Sequence, residues 1–161
     1  MFNFFITHES QIFLCKDSLL VLPENVKVPP YYPDTKVIRH DIVRLLTNIE
    51  IMDQQVGSLI NMLKKDGLYD NTIIFFYSDH GGSLPWMKRE ILERGTHIPF
   101  IIRLPHAERA ATTNDDLVNA ADFAPTVLSL AGVSIPAYMQ GKFGQFMITV
   151  FNEWVKKVST G

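Results

Sequence analysis

Apolar residues recur at three- and four-residue spacing through the first half of the chain, at Ile38, Ile42, Leu45, Ile49, Met52, Val56, Leu59 and Leu63. That period draws one stripe along a long helix. Asp34 or Thr35 can cap its start, Lys64 and Lys65 suit its negative end, and Gly67 lies just beyond. Ahead of it, "LPENVKVPPYYPDT" holds Pro23, Pro29, Pro30 and Pro33, which remove backbone donors and make residues 9–35 an extended loop lying on something else. Behind it, "NTIIFFYS" (71–78) is an unbroken apolar run, and "HIPFIIRLP" (97–105) reads the same way. Strands that do not alternate are covered on both faces, as in a parallel sheet between helix layers. Met1–Ile6 reads as a further strand, and "NDDLVNAADFAPTVLSLAGV" predicts a second helix from Ala124 or Pro125 to Leu130, stopped by Gly132. The order of elements indicates an α/β layered sheet. The long stripe is expected to pack on the strand at 72–78, so that aspartate at Ile49 or Met52 would unfold the domain.

Composition narrows the class. The chain has 161 residues, 47% of them hydrophobic, with a net charge of -2, which excludes a disordered chain and a polyanion binder and so argues against a nucleic-acid partner. The single Cys15 excludes an internal disulfide framework and a multi-cysteine metal site. No apolar run approaches the roughly 20 residues that span a bilayer. "MFNFFITHESQ" lacks the basic region and cleavage site of a signal peptide.

Candidate chemistry gathers where strands end, since ligands of open α/β sheets collect beyond the carboxyl ends of the strands. The run Ile73–Tyr77 stops at Ser78-Asp79-His80, and Gly81 and Gly82 let the backbone turn and approach a ligand closely. Asp79 offers an oxygen and His80 a nitrogen to a divalent cation, or the pair is only a cap and a loop histidine. Lys88 and Arg89 come soon after in "GGSLPWMKRE", bringing positive charge towards the same strand end. A metal and a lysine at one point would suit a tetrahedral oxyanion, sulfate or phosphate. The first strand ends at Thr7-His8-Glu9-Ser10 and places a further histidine at a terminus. Asp79, His80, Lys88 and His8 are expected to converge on one edge of the sheet. His97 is expected to be structural, at the opposite end of its strand.

The blocks "YYPDTKVIRHDIVRLLTNIEIMDQQVGSLINMLKKDGLYDNTIIFFYSDHGGSLPWMKRE", "GTHIPFIIRLP" and "DFAPTVLSLAGVSIPAYMQGK" together resemble the sulfatase family of the alkaline-phosphatase-like superfamily, in its bacterial heparan N-sulfatase-like branch. The resemblance runs from Phe2 to about Lys142. It implies a partial three-layer α/β/α sandwich with a mostly parallel sheet over residues 1–142, its N-terminal half missing, followed by a divergent tail at 143–161. It implies hydrolysis of sulfate esters or sulfamates, with a sulfated glycan as substrate. Asp79 and His80 match the family's calcium ligands, Lys88 its sulfate-contacting lysine and His8 its catalytic histidine.

Two family elements have no counterpart here. The remaining calcium carboxylates form an Asp-Asp pair near the family's N-terminus, and the nucleophile is a formylglycine made from cysteine in a C-x-P-S-R-like motif. Cys15, in "FLCKDSLL", has neither the proline nor the arginine and cannot be that precursor. The expectation is a fragment with a partial calcium site and no turnover by itself. The alternatives are a phosphatase or phosphodiesterase of the same superfamily, with zinc at Asp79 and His80, or a non-catalytic remnant. Full-length relatives of this kind are periplasmic, extracellular or lysosomal.

Overall fold

A computed structural model describes residues 21–107 and 110–142. The chain divides into two compact units, Met1–Ala110 and Ala111–Gly161. The strand expected at Met1–Ile6, together with His8, Cys15 and the tail 143–161, lies outside the described residues.

In the first unit the long helix, α1, spans Lys36–Lys65, about 45 Å at the usual rise. Thr35 caps it, its hydroxyl accepting a bond from the Ile38 amide at 3.3 Å. Asp34 instead accepts two bonds from Arg39, at 2.6 and 2.7 Å. The Arg39 guanidinium also donates to the carbonyls of Pro23 and Val26, at 3.0 and 2.9 Å, and so ties the 3-10 turn Pro23–Asn25 to the helix. At the far end Gly67 takes a left-handed φ of 69°, the Gly67 amide reaches Lys64 O at 3.1 Å and the Leu68 amide reaches Leu63 O at 2.9 Å. These are the paired bonds of a glycine-terminated helix.

Burial along α1 is uneven. Ile42, Val43, Thr47 and Asn48 are buried, with Ile42 and Val43 joining Val26 and Tyr32 in a core that Val21, Val28, Tyr31, Ile38, Leu46 and Leu84 extend. The proline-rich segment therefore lies on the first half of the helix, as its composition predicts. Further along, Ile49 is 41% exposed, while Leu63 at the end of the stripe is buried again, at 7%. Here Val56, Leu59 and Ile60 face Ile74 and Phe76 across a shallow apolar hollow, so the stripe does meet the strand, though less tightly than its sequence suggests.

Strand β1 (Ile74–Tyr77) and strand β2 (Phe100–Arg103) form the sheet of the described residues. They run antiparallel, pairing Ile74 with Arg103, Phe75 with Ile102, Phe76 with Ile101 and Tyr77 with Phe100. The α/β class agrees with expectation, while the sheet of the described residues has two antiparallel strands rather than the mostly parallel arrangement of a three-layer α/β/α sandwich. A parallel return needs a crossover of a dozen or more residues over a sheet face, usually a helix. Residues 78–99 contain only the four-residue α2, Glu93–Thr96; they fold at one end of the sheet and send the chain straight back. In β1 the apolar run still reports burial, since Ile74 is 8% and Phe75 0% exposed on opposite faces, but β2 departs from the expected cover on both faces, with Ile101 59% exposed at the edge of the described sheet. Arg103 fastens β2, donating to Tyr69 O at 2.7 Å and lying 3.6 Å over the Tyr69 ring.

In the second unit, Asn119 caps the turn Ala120–Asp122 through the Ala121 amide at 3.0 Å. Helix α3 (Phe123–Leu130) comes next, with Pro125, Thr126 and Leu130 buried. Gly132 ends it in a left-handed φ of 70°, with the Val133 amide on Leu128 O at 2.9 Å. Among the described residues no helix is long and apolar enough to cross a membrane.

Candidate active site

The site begins where β1 stops. The Ser78 hydroxyl donates to His80 O at 2.6 Å, and Asp79 Oδ1 accepts the His80 amide at 3.1 Å, which bends the chain sharply after Tyr77. The other carboxylate oxygen, Oδ2, stands 3.5 Å from His80 Nε2. His80 Nδ1 lies 2.7 Å from Gly81 O. A carbonyl only accepts, so Nδ1 carries the hydrogen, and in the neutral ring the Nε2 lone pair is left beside Asp79. An imidazole oriented by a backbone carbonyl, with its second nitrogen beside a carboxylate oxygen, is an arrangement suited to a cation. Asp79 and His80 thus satisfy the chemistry of two metal ligands. Among the described residues there is no group of three or more His, Cys, Asp or Glu that could hold a metal, so the set falls short of the six to eight oxygens that calcium takes.

Glycines shape the loop beyond His80. The Gly81 amide bonds Gly95 O at 3.0 Å, and a Cβ on Gly81 would stand 1.8 Å from Arg94 O. A Cβ on Gly95 would stand 2.1 Å from Glu90 O. Two backbone segments touch here with no room for a side chain. Lys88 is drawn into this knot by its amide, which reaches Gly82 O at 2.9 Å. The structure therefore joins Asp79 to His80 and folds the Lys88 backbone onto the glycine turn next to them.

His97 requires a correction. Because β2 is antiparallel, its start lies at the same end of the sheet as the exit of β1, where Tyr77 pairs with Phe100 and their rings stand 5.7 Å apart. His97 is therefore on the site side of the sheet, not opposite it. Its Nδ1 stands 3.3 Å from Glu93 Oε1 in a well-exposed pair.

Sequence reasoning passed over an aromatic cluster beside this loop. Trp86 stacks on Tyr32 at 5.6 Å and 11° and meets Tyr31 edge-on at 6.3 Å. The Arg94 guanidinium lies 3.3 Å over the Tyr31 ring, and the Tyr32 hydroxyl donates to Pro85 O. Burial pushes the Tyr32 hydroxyl pKa up, Tyr31 adds to this and Arg94 opposes it. The adjacent tyrosines in a proline-rich segment and the tryptophan two residues before Lys88 were the available signals.

Asp79 and His80 thus stand at a strand exit, with Lys88 in the turn that follows. The sulfatase family model matches residues 22–133. An ulvan-active sulfatase of Formosa agariphila is 44% identical over 140 residues, covering 86% of this chain and 22% of that relative. Human N-sulphoglucosamine sulphohydrolase is 30% identical over 117 residues, 72% of this chain and 23% of that protein. A solved structure of a protein with its substrate D-glucosamine-2-N,6-O-disulfate matches with a TM-score of 0.56 and 36% identity, over 65% of this chain and 23% of the other. The chain belongs to the sulfatase family and spans under a quarter of the length of each of these relatives.

Proposed function

We propose that this chain supplies one edge of a sulfatase active site, acting on sulfate esters or sulfamates of a sulfated glycan. The observation that carries the reading is the Asp79–His80 pair, its carboxylate oxygen and imidazole nitrogen 3.5 Å apart at the mouth of β1, in a chain of this family. Relatives named for ulvan and for N-sulphoglucosamine support a sulfated sugar as substrate. Asp79 and His80 would hold calcium, whose charge offsets that of the sulfate oxygens. Lys88 would add an ammonium donor to the same oxygens, and His8 a proton-transferring imidazole. The family's formylglycine nucleophile matches no residue of this chain, so sulfur would not be attacked by this chain alone. The mostly parallel, three-layer sandwich of the alkaline-phosphatase-like fold would then belong to the whole domain, with the antiparallel pair described here as a part of it.

Calorimetric titration of the 161-residue chain with calcium is expected to show weak binding that Asp79→Asn abolishes. Binding unaffected by Asp79→Asn and His80→Ala would overturn the assignment. Zinc binding far tighter than calcium would favour a phosphatase or phosphodiesterase, since imidazole suits zinc. Turnover of an aryl sulfate by this chain, lost in Lys88→Ala, would show that a nucleophile is present after all.

A further inference from the structure

The aromatic cluster beside the loop is built in an unusual way. Trp86 has a φ of 62°, a left-handed conformation that a bulky side chain rarely adopts and that surrounding structure must impose. Three bonds hold it: the Met87 amide to Leu84 O at 3.3 Å, the Lys88 amide to Gly82 O at 2.9 Å, and the Tyr32 hydroxyl to Pro85 O. Tyr32, beneath the indole, is only 7% exposed, so the ring rests on a fixed base. Yet Trp86 itself is 48% exposed. An indole packed on one face by Tyr32 and edge-on by Tyr31 keeps half its surface in water. A strained backbone is maintained here, and what it achieves is the display of an aromatic ring two residues from Lys88.

We propose that the exposed part of Trp86 is a stacking platform for a pyranose ring of the sulfated sugar, with the sulfate group directed towards Lys88. The proposal rests on the sulfated-glycan reading above and deepens it, assigning sugar-ring recognition to a residue outside the cation and oxyanion set. A pyranose carries its hydroxyls around the rim and presents C–H bonds on its faces. Those slightly positive hydrogens suit the negative face of an aromatic ring. Sugar sites combine such an apolar surface with a few placed polar groups; here Lys88 follows Trp86 by two residues and the Arg94 guanidinium lies over the neighbouring Tyr31 ring. Tyr31 and Tyr32 hold the platform; Trp86 makes the contact.

The test uses the 161-residue chain with Trp154→Phe, which leaves Trp86 as the single tryptophan. The probes are glucosamine carrying N- and 6-O-sulfates and unsulfated glucosamine, with indole emission and calorimetry as the readouts. The disulfated sugar is expected to bind and to shift the emission. Trp86→Leu, which keeps apolar packing on Tyr32 but has no π face, should weaken binding about five- to tenfold, and Trp86→Phe about threefold or less. A purely structural role would instead lower the melting temperature of Trp86→Leu and leave its affinity for the sugar intact. If Trp86→Leu binds like the parent while Lys88→Ala does not, the platform is overturned and the sulfate site stands. If both sugars bind equally, dependent on Trp86 and not on Lys88, the platform stands and the sulfated-substrate reading falls. Absence of binding by either sugar at millimolar concentration overturns both.

Discussion

Strand β1 and the loop that continues it differ in what holds them. Ile74 and Phe75 lose nearly all contact with water, so the hydrophobic effect, about 1.5–3 kcal/mol for each large apolar side chain, fixes them. From Ser78 to Thr96 the one fully buried residue is Gly95. That stretch keeps its shape through backbone bonds such as Gly81 to Gly95, through left-handed Trp86 and Arg89, and through the stack on Tyr32. The strand tolerates any side chain that is apolar and of the right volume. The loop depends on the absence of side chains at two points. Side chains left in contact with water cannot be held by burying them, so the chain holds their backbone instead.

Removing the strand's largest buried group should have the greatest effect. Phe75→Ala is expected to lower stability by about 4 kcal/mol, read as a fall in denaturant midpoint; a loss below about 1 kcal/mol would show that burial does not hold β1. Gly81→Ala should cost about 3 kcal/mol, because its Cβ would meet Arg94 O at 1.8 Å. Gly57→Ala is the control: that glycine lies within α1, a Cβ there meets nothing within 4 Å, and the change should stabilise by about 0.5–1 kcal/mol. Equal effects at the two glycines would erase the contrast between helix and loop.

Ile49→Asp sharpens the comparison within α1. The apolar stripe predicts unfolding, but Ile49 is 41% exposed, and a loss within about 1 kcal/mol is expected by thermal denaturation. Complete unfolding would mean that the stripe is covered along its whole length. The smallest effect concerns the exposed helix start. The hydrogen bond from Arg39 lowers the Asp34 pKa from 3.8. A depressed carboxylate contributes stability that is full above its unfolded value and is lost as pH falls through the folded one. Asp34→Asn should therefore flatten the stability profile below about pH 4, and an unchanged acid limb would show that Asp34 contributes nothing to it.

The elements whose signals are local were legible. The α1 stripe with its Thr35 cap and Gly67 stop, the apolar run at 73–77 and the α3 stop at Gly132 all depend on residues within a few positions of one another. Asp79 and His80 could be placed at a strand exit for the same reason. The direction in which β2 returns was decided elsewhere. An apolar run records that a strand is buried, and the same run is buried whether its neighbour is parallel or antiparallel. The shape of the 78–99 connection settled it, and with it the end of the sheet on which His97 sits.

The pairing of Trp86 with Tyr32 was illegible for a related reason. Tyr32 and Trp86 are far apart in sequence, and neither shows a period or a motif; only folding of the proline-rich segment onto α1 brings them to 5.6 Å. The sequence by itself determined which segments are helix and strand, where α1 and α3 stop, and that Asp79 and His80 follow a strand, because these depend on the chemistry of neighbouring side chains. The tertiary structure alone decided strand direction, the contact of Gly81 with Arg94 and the footing of Trp86, because each is a meeting of distant segments that no local pattern encodes.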